Sequence, residues 1–211
     1  MSSDEPKRRY SSPKRAAAVE QTDARIVDAA FAVLARMAEE GGQFSLEAVA
    51  KEAGVTRLTV HNRFGSRRGL LEAVFDSRAS EAGFARIGQF MALEDTEEAI
   101  LGVVGFFCEF WASDHRGIAT LVASGASEPE FRLAMQERNE RRRKLFSVLT
   151  GRLVAEGRIE EARRADLTDV LFALTSMPFY AALAIGGRGA EAVKSLVSGL
   201  ARGAIAGGQT K

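Results

Sequence analysis

The sequence predicts an all-α protein, and three observations carry that prediction. Only four prolines occur in 211 residues, and Pro6 and Pro13 stand near the start, so Pro129 and Pro178 alone interrupt the remainder. Apolar residues recur at three- and four-residue spacing, while alternating β-branched runs bounded by turns are missing. Hydrophobic residues make up 46% of the chain, enough to bury a core. The length suits one large domain or two small ones.

Taken in order, residues 1–22 are rich in Ser, Pro and charge and read as a flexible basic arm. A first helix follows, with Ile26, Ala29, Ala30, Val33, Leu34 and Met37 on one stripe, and Gly41-Gly42 ends it. Ser45 has the character of an N-cap for a short helix that turns Leu46, Val49, Ala50 and Ala53 inward and closes at Gly54. Val55 is an inward anchor. Thr56 caps a third helix whose inward residues are Val60 and Phe64, and Gly65-Ser66 separates it from a fourth that starts near Arg67. Two short helices joined at a glycine form a helix-turn-helix.

Beyond Leu70, longer amphipathic helices are expected over roughly 67–90, 96–113, 116–124, 129–157, 166–186 and 190–206. Their breaks fall at Asp95, Asp114, Glu128-Pro129, Gly157 and Gly186-Gly187. Such short connections suit antiparallel helical packing. The expected organisation is an N-terminal helix-turn-helix domain of three helices at 23–66, followed by a C-terminal helical regulatory and dimerisation domain at 67–211.

With 29 Lys and Arg against 28 Asp and Glu, the formal charge is +1, so any binding of nucleic acid must come from local clustering. Such a cluster exists. Ala53 to Leu71 holds Arg57, Arg63, Arg67 and Arg68 with no acidic residue, a local charge of +4. Arg67 and Arg68 stand in the first turn of a helix, where cations oppose the macrodipole, whereas a docked phosphate would meet both amides and guanidinium. A helical wheel over 56–64 sets Leu58, His61 and Asn62 opposite the inward residues, with Arg57, Thr59 and Arg63 on the flanks. Arg can pair bidentately with guanine and Asn with adenine, and a Leu or Thr methyl can meet the thymine methyl, all in a major groove that admits a helix.

The segments Ile26-Val27-Asp28-Ala29-Ala30, Leu46 to Val55 and Thr56 to Leu71 together resemble the tetracycline-repressor (TetR) family of bacterial regulators over residues 25 to about 75. Carried over by position, the resemblance implies that Arg57, Leu58, Thr59 and Asn62 approach base edges of double-stranded DNA, and that His61, Arg63 and Arg67 approach phosphates. Leu58 stands where glycine, alanine or proline is usual in the family, which bears on the operator sequence. The resemblance also implies a repressor that dimerises through its last two helices and answers to a small ligand.

The helix around Phe106, Phe107, Cys108, Glu109, Phe110 and Trp111 is unusually aromatic; such a stripe is either core or the wall of a pocket. A mainly hydrophobic or aromatic ligand is expected against Phe106, Phe110, Trp111, Met135, Met177 and Tyr180. Cys108 reads as a small buried hydrophobe, Glu109 as a surface charge, and His115 as a helix-end residue. The basic run Arg138, Arg141, Arg142, Arg143 and Lys144 reads as a solvated face, with Glu137 paired to Arg141 and Glu140 to Lys144. The last two helices carry more apolar surface than a terminal hairpin buries alone, and Leu171, Ala182, Val193, Leu196, Val197 and Leu200 are the candidate homodimer contacts.

One cysteine and two histidines leave no ligand set for a metal and no nucleophile–base pair, so neither a cofactor nor an enzymatic activity is expected. The first twenty residues lack the apolar segment of a secretory signal, and no stretch is long enough for a membrane span, which predicts a cytoplasmic protein. The expected function is a transcriptional repressor released from a palindromic operator by its ligand. The rival readings are a DNA-binding regulator without a ligand and an all-α enzyme.

Overall fold

The computed structural model describes residues 13–207, with side chains from residue 17 onward. All regular structure among the described residues is helical: α1 (Pro13–Glu40), α2 (Leu46–Ala53), α3 (Arg57–Phe64), α4 (Arg67–Glu81), α5 (Arg86–Met91), α6 (Thr96–Gly125), α7 (Pro129–Ala155), α8 (Glu161–Leu174), α9 (Met177–Ala184) and α10 (Ala190–Ala206). No single helix among them is long and apolar enough to cross a membrane. The chain divides into two compact units that part between Val74 and Phe75, inside α4.

In the first unit α1 packs on α2, and α2 on α3. Its core gathers Ile26, Ala30, Val33 and Leu34 of α1 with Phe44, Val49, Val60, Leu70 and Leu71. Each large aliphatic among them adds about 1.5–3 kcal/mol when removed from water. α1 begins at Pro13, well before the expected start, so residues 13–22 are helical where an arm was expected. Lys7, Arg8 and Arg9 of that arm lie outside the described residues.

In the second unit α6 packs against α5, α7, α9 and α10, while α8 lies on α7 and α10. Four expected helices differ from those found. The helix expected over 67–90 is two, because Gly83 adopts φ 77° between α4 and α5. The helices expected over 96–113 and 116–124 join as α6, kinked at Asp114, whose Oδ1 accepts from the Gly117 amide at 2.8 Å. The helix expected over 166–186 breaks at Thr175, because the Ser176 hydroxyl caps α9 by accepting from the Phe179 amide at 3.3 Å and Pro178 supplies no amide hydrogen. α8 and α9 are bent by 53° at that point. The break leaves the last carbonyls of α8 without helical partners, and the Trp111 and Arg142 side chains donate to that of Thr175.

Candidate nucleic-acid interface and ligand cavity

The turn between α2 and α3 is built by Gly54. Its φ of 65° is left-handed, and the amides of Gly54 and Val55 close the end of α2 on Lys51 O at 3.3 Å and Ala50 O at 3.0 Å. The Ser45 hydroxyl accepts from the Ala48 amide at 3.1 Å, and the Thr56 hydroxyl from the Thr59 amide at 3.1 Å. Both caps stand where the sequence placed them. The first turn of α4 lies against the end of α3: a Cβ on Gly69 would come within 2.2 Å of Phe64 O. The Ser66 hydroxyl accepts from the Gly69 amide at 3.0 Å and caps α4.

This frame turns Val60 fully inward and presents a polar outer face on α3. Arg57, Leu58, His61 and Asn62 are exposed and Thr59 is half-buried. Leu58 is 65% exposed. Arg63 and Arg67, also singled out from the sequence, are engaged within the unit. The Arg63 guanidinium makes a two-point ion pair with the Asp23 carboxylate of α1, which raises its pKa above the ordinary value. Arg67 Nε donates to Phe44 O at 3.2 Å, and its guanidinium lies 5.6 Å from the Phe44 ring centroid. Arg63 thereby ties α3 to α1, and Arg67 ties α4 to the loop before α2.

In the second unit two concavities occur on α7. The larger, about 940 Å³, is an open groove between α7 and α8 rimmed by charges of both signs, among them Glu140, Arg143, Lys144 and Asp169. The smaller, about 430 Å³, has a largely apolar wall formed by Phe75, Phe84, Ile87, Phe107, Phe110 and Trp111, with Leu145 and Arg142 from α7. Its volume is that of a site for a small ligand. Edge-to-face ring contacts hold this wall: Phe84 stands 4.8 Å from Phe106, 5.8 Å from Phe107 and 5.2 Å from Phe110.

Of the residues expected to wall a cavity, Phe110 and Trp111 do so. Phe106 is buried beside them, while Met135, Met177 and Tyr180 do not reach this wall, and the Tyr180 ring lies 5.5 Å from that of His115. In the α7 basic run, Arg141 and Lys144 are exposed in keeping with a solvated face, whereas Arg142 departs from that reading. Arg142 is buried at 6% exposure, on the same stripe as the buried Phe146, Leu149 and Leu153. Among the described residues neither Glu137–Arg141 nor Glu140–Lys144 pairs; Arg143 pairs with Asp169 of α8, and Arg138 with Asp76 of α4 at 2.6 Å.

Cys108 is buried, and burial pushes its thiol up to about 11. Glu109 is exposed and bound to Lys194 at 2.5 Å, with Arg86 at 3.5 Å. No group of three or more His, Cys, Asp and Glu among the described residues is placed to hold a metal ion. Among the candidate dimer contacts, Leu171, Val193 and Val197 are buried in the core of the subunit itself and so are not free to meet a partner. Ala182, Leu196 and Leu200 remain at least partly exposed.

Residues 26–74 match the model of the bacterial regulatory proteins of the tetR family. Over nearly the whole chain the fold is that of solved transcriptional regulators. One from Rhodococcus sp. Rha1 is 17% identical, with a TM-score of 0.68 over 90% of this chain and 98% of that one. A TetR transcription regulator from Haloarcula marismortui is 15% identical, with a TM-score of 0.65 over 90% and 100%. The ketosteroid transcriptional regulator KstR2 of Mycobacterium tuberculosis is 15% identical, with a TM-score of 0.63 over 90% and 95%. No curated protein sequence matches the chain.

Proposed function

Through residues 26–74 the chain belongs to the tetR family of bacterial regulatory proteins, and from that premise we propose that it is a cytoplasmic homodimeric repressor that leaves a palindromic operator when a mainly apolar ligand binds. The observation that carries the DNA-binding part is the outer face of α3. Arg57, Leu58, His61 and Asn62 stand exposed on a helix locked at both ends, next to a turn that only glycine makes cheaply. Base edges are read by Arg57, Leu58, Thr59 and Asn62, and phosphates are met by His61 and the positive charge of Arg63 and Arg67.

The ligand part is supported by the aromatic cavity. α4 starts at Arg67, and its later residues Phe75, Asp76 and Ala79 line that cavity, so a ligand seated there acts on the helix that also belongs to the DNA-binding unit. Two half-sites about 34 Å apart must be engaged together, and a small change in the spacing of the recognition helices is enough to lose one of them. The ligand shifts that balance only by its differential affinity for the two spacings.

The test is selection of genomic DNA fragments by the full-length protein, followed by binding to the enriched sequence across a range of salt. Enrichment of a palindromic site, with affinity falling steeply as salt rises, is the expected outcome. Retention of no preferred sequence at any salt overturns the DNA reading. Operator binding that no apolar compound weakens leaves a DNA-binding regulator without a ligand.

A further inference from the structure

Arg142 is the one charged residue among the buried side chains of the described residues. Its Nη1 donates to Thr175 O at 2.6 Å, and its guanidinium lies 4.4 Å from the Phe172 ring centroid and 5.6 Å from that of Phe107. Its Nε is buried with no hydrogen-bond partner. No carboxylate of the described residues pairs with it, and burial alone pulls its pKa down to about 10, so it stays cationic at neutral pH. Buried cations are ordinarily paired, because an uncompensated one costs several kcal/mol of lost hydration.

This cation stands in the wall of the 430 Å³ cavity. The one carboxylate on that wall, Asp76, is taken by Arg138 at 2.6 Å. Arg141 and Arg142 are thereby left to set the charge of an otherwise aromatic chamber. A neutral apolar occupant would leave the guanidinium charge without an anion, and a cationic one would be repelled. A carboxylate meets the guanidinium with opposite charge and a charge-assisted hydrogen bond, and the stacking of Arg142 on Phe172 fixes the plane in which it does so.

We propose that the cavity takes an apolar molecule bearing a single carboxylate, its aromatic or medium-chain aliphatic body against Phe107, Phe110 and Trp111 and its carboxylate on Arg142. The inference rests on the reading of this cavity as the ligand site and gives that ligand its charge.

The experiment titrates the full-length protein with decanoate, 4-phenylbutyrate and 1-naphthylacetate, and with the primary amide of each, following the fluorescence of Trp111, the only tryptophan, together with the thermal midpoint. At least one acid is expected to bind about tenfold tighter than its amide. Arg142→Met is expected to bring the two within about twofold of each other, while Arg142→Lys keeps part of the preference. Circular dichroism establishes that the variants fold; should Arg142→Met not fold, Arg142→Lys and the wild-type contrast of acid with amide decide the matter. Amides that bind the wild type as tightly as their acids, or an acid preference that survives in Arg142→Met, overturn the proposal and leave the apolar-ligand reading standing. No response to acids and amides alike overturns both the proposal and the ligand part of the proposed function, whereas the DNA part is judged by fragment selection alone.

Discussion

Arg142 of α7 and Trp111 of α6 donate to one and the same acceptor. The guanidinium reaches Thr175 O at 2.6 Å and the indole Nε1 reaches it at 2.8 Å. The acceptor is available because α8 ends there, where the carbonyls of a last helical turn carry partial negative charge. Two donors on one carbonyl use both of its lone pairs, and the core is seamed together at the α8–α9 break.

The shared acceptor yields a prediction about stability. In Arg142→Met the Thr175 carbonyl keeps its bond from Trp111, the orphaned Nε disappears, and a flexible thioether fills much of the space. Replacing a poorly compensated buried charge by an apolar side chain is often neutral or stabilising by about 1–4 kcal/mol. The ligand-free variant is therefore expected to melt at or above the wild-type temperature, measured by circular dichroism or calorimetry. A loss of more than about 3 kcal/mol would show that the guanidinium holds the core together.

On α3 the prediction separates reading from folding. Leu58 touches little of its own unit, so Leu58→Ala should leave stability within about 0.5 kcal/mol while changing which operator variants bind best. Arg57→Ala should relax preference at one base pair, at a cost of about 1–3 kcal/mol. Arg67→Ala has two consequences: weaker binding to all sequences with a shallower salt slope, and a loosened Phe44 contact. Competition binding at several salt concentrations alongside melting curves resolves them; wild-type affinity and slope in all three variants would refute the groove assignment.

Gly69→Ala tests how α3 meets α4. Its Cβ would lie 2.2 Å from Phe64 O, a backbone atom that cannot swing aside. Overpacking of this kind typically costs about 1–3 kcal/mol. Gly54→Ala is strained for another reason, its φ of 65°, at about 1–2 kcal/mol. Urea denaturation should find both variants destabilised.

The first unit was legible in the sequence because its signals are local: Ser45 and Thr56 cap within three residues and Gly54 turns within one. The second unit was less so. The apolar periodicity runs on through Gly83 and through the apolar stretch around Pro178, whereas helices end beside both. The charged neighbours of Arg142 suggest a placement on a solvated face. Its register contradicted that placement, because it precedes Phe146, Leu149 and Leu153 at four, seven and eleven residues, the spacing of one buried stripe. Leu171, Val193 and Val197 show the converse limit: periodicity finds an apolar face but does not tell whether the subunit's own core or a partner covers it.

Glu109 and Lys194 give the pH dependence. The hydrogen bond from Lys194 holds the Glu109 carboxyl below its ordinary value of 4.5, and the same bond holds the Lys194 ammonium above 10.5. A lowered acid contributes stability above its unfolded pKa and loses it as pH falls through the folded one. A raised base contributes below its unfolded pKa and loses it as pH rises through the folded one. The pair therefore supports the α6–α10 contact between those limits, modestly, because both side chains are about a third exposed or more. Glu109→Gln should lower the melting temperature slightly at neutral pH and flatten its fall below pH 4.5; an unchanged acid limb would show that the pair contributes nothing.

Assembly is tested by contrasting two positions on α10 that face different ways. Val197 is buried, so Val197→Asp puts an unpaired charge into the subunit core and should unfold the protein. Leu200 is 44% exposed and is one of the candidate dimer contacts that the subunit's own core does not cover. Leu200→Glu should keep the helical signal and melting temperature of an intact subunit yet shift sedimentation to that of a monomer. Tight operator binding should be lost with the dimer, since one helix-turn-helix reads only half of a palindrome. Sedimentation velocity and operator titration on the same preparation make the test complete: a Leu200→Glu protein that stays dimeric moves the interface elsewhere, and a monomer that binds its operator as tightly as the wild type removes the need for a dimer altogether.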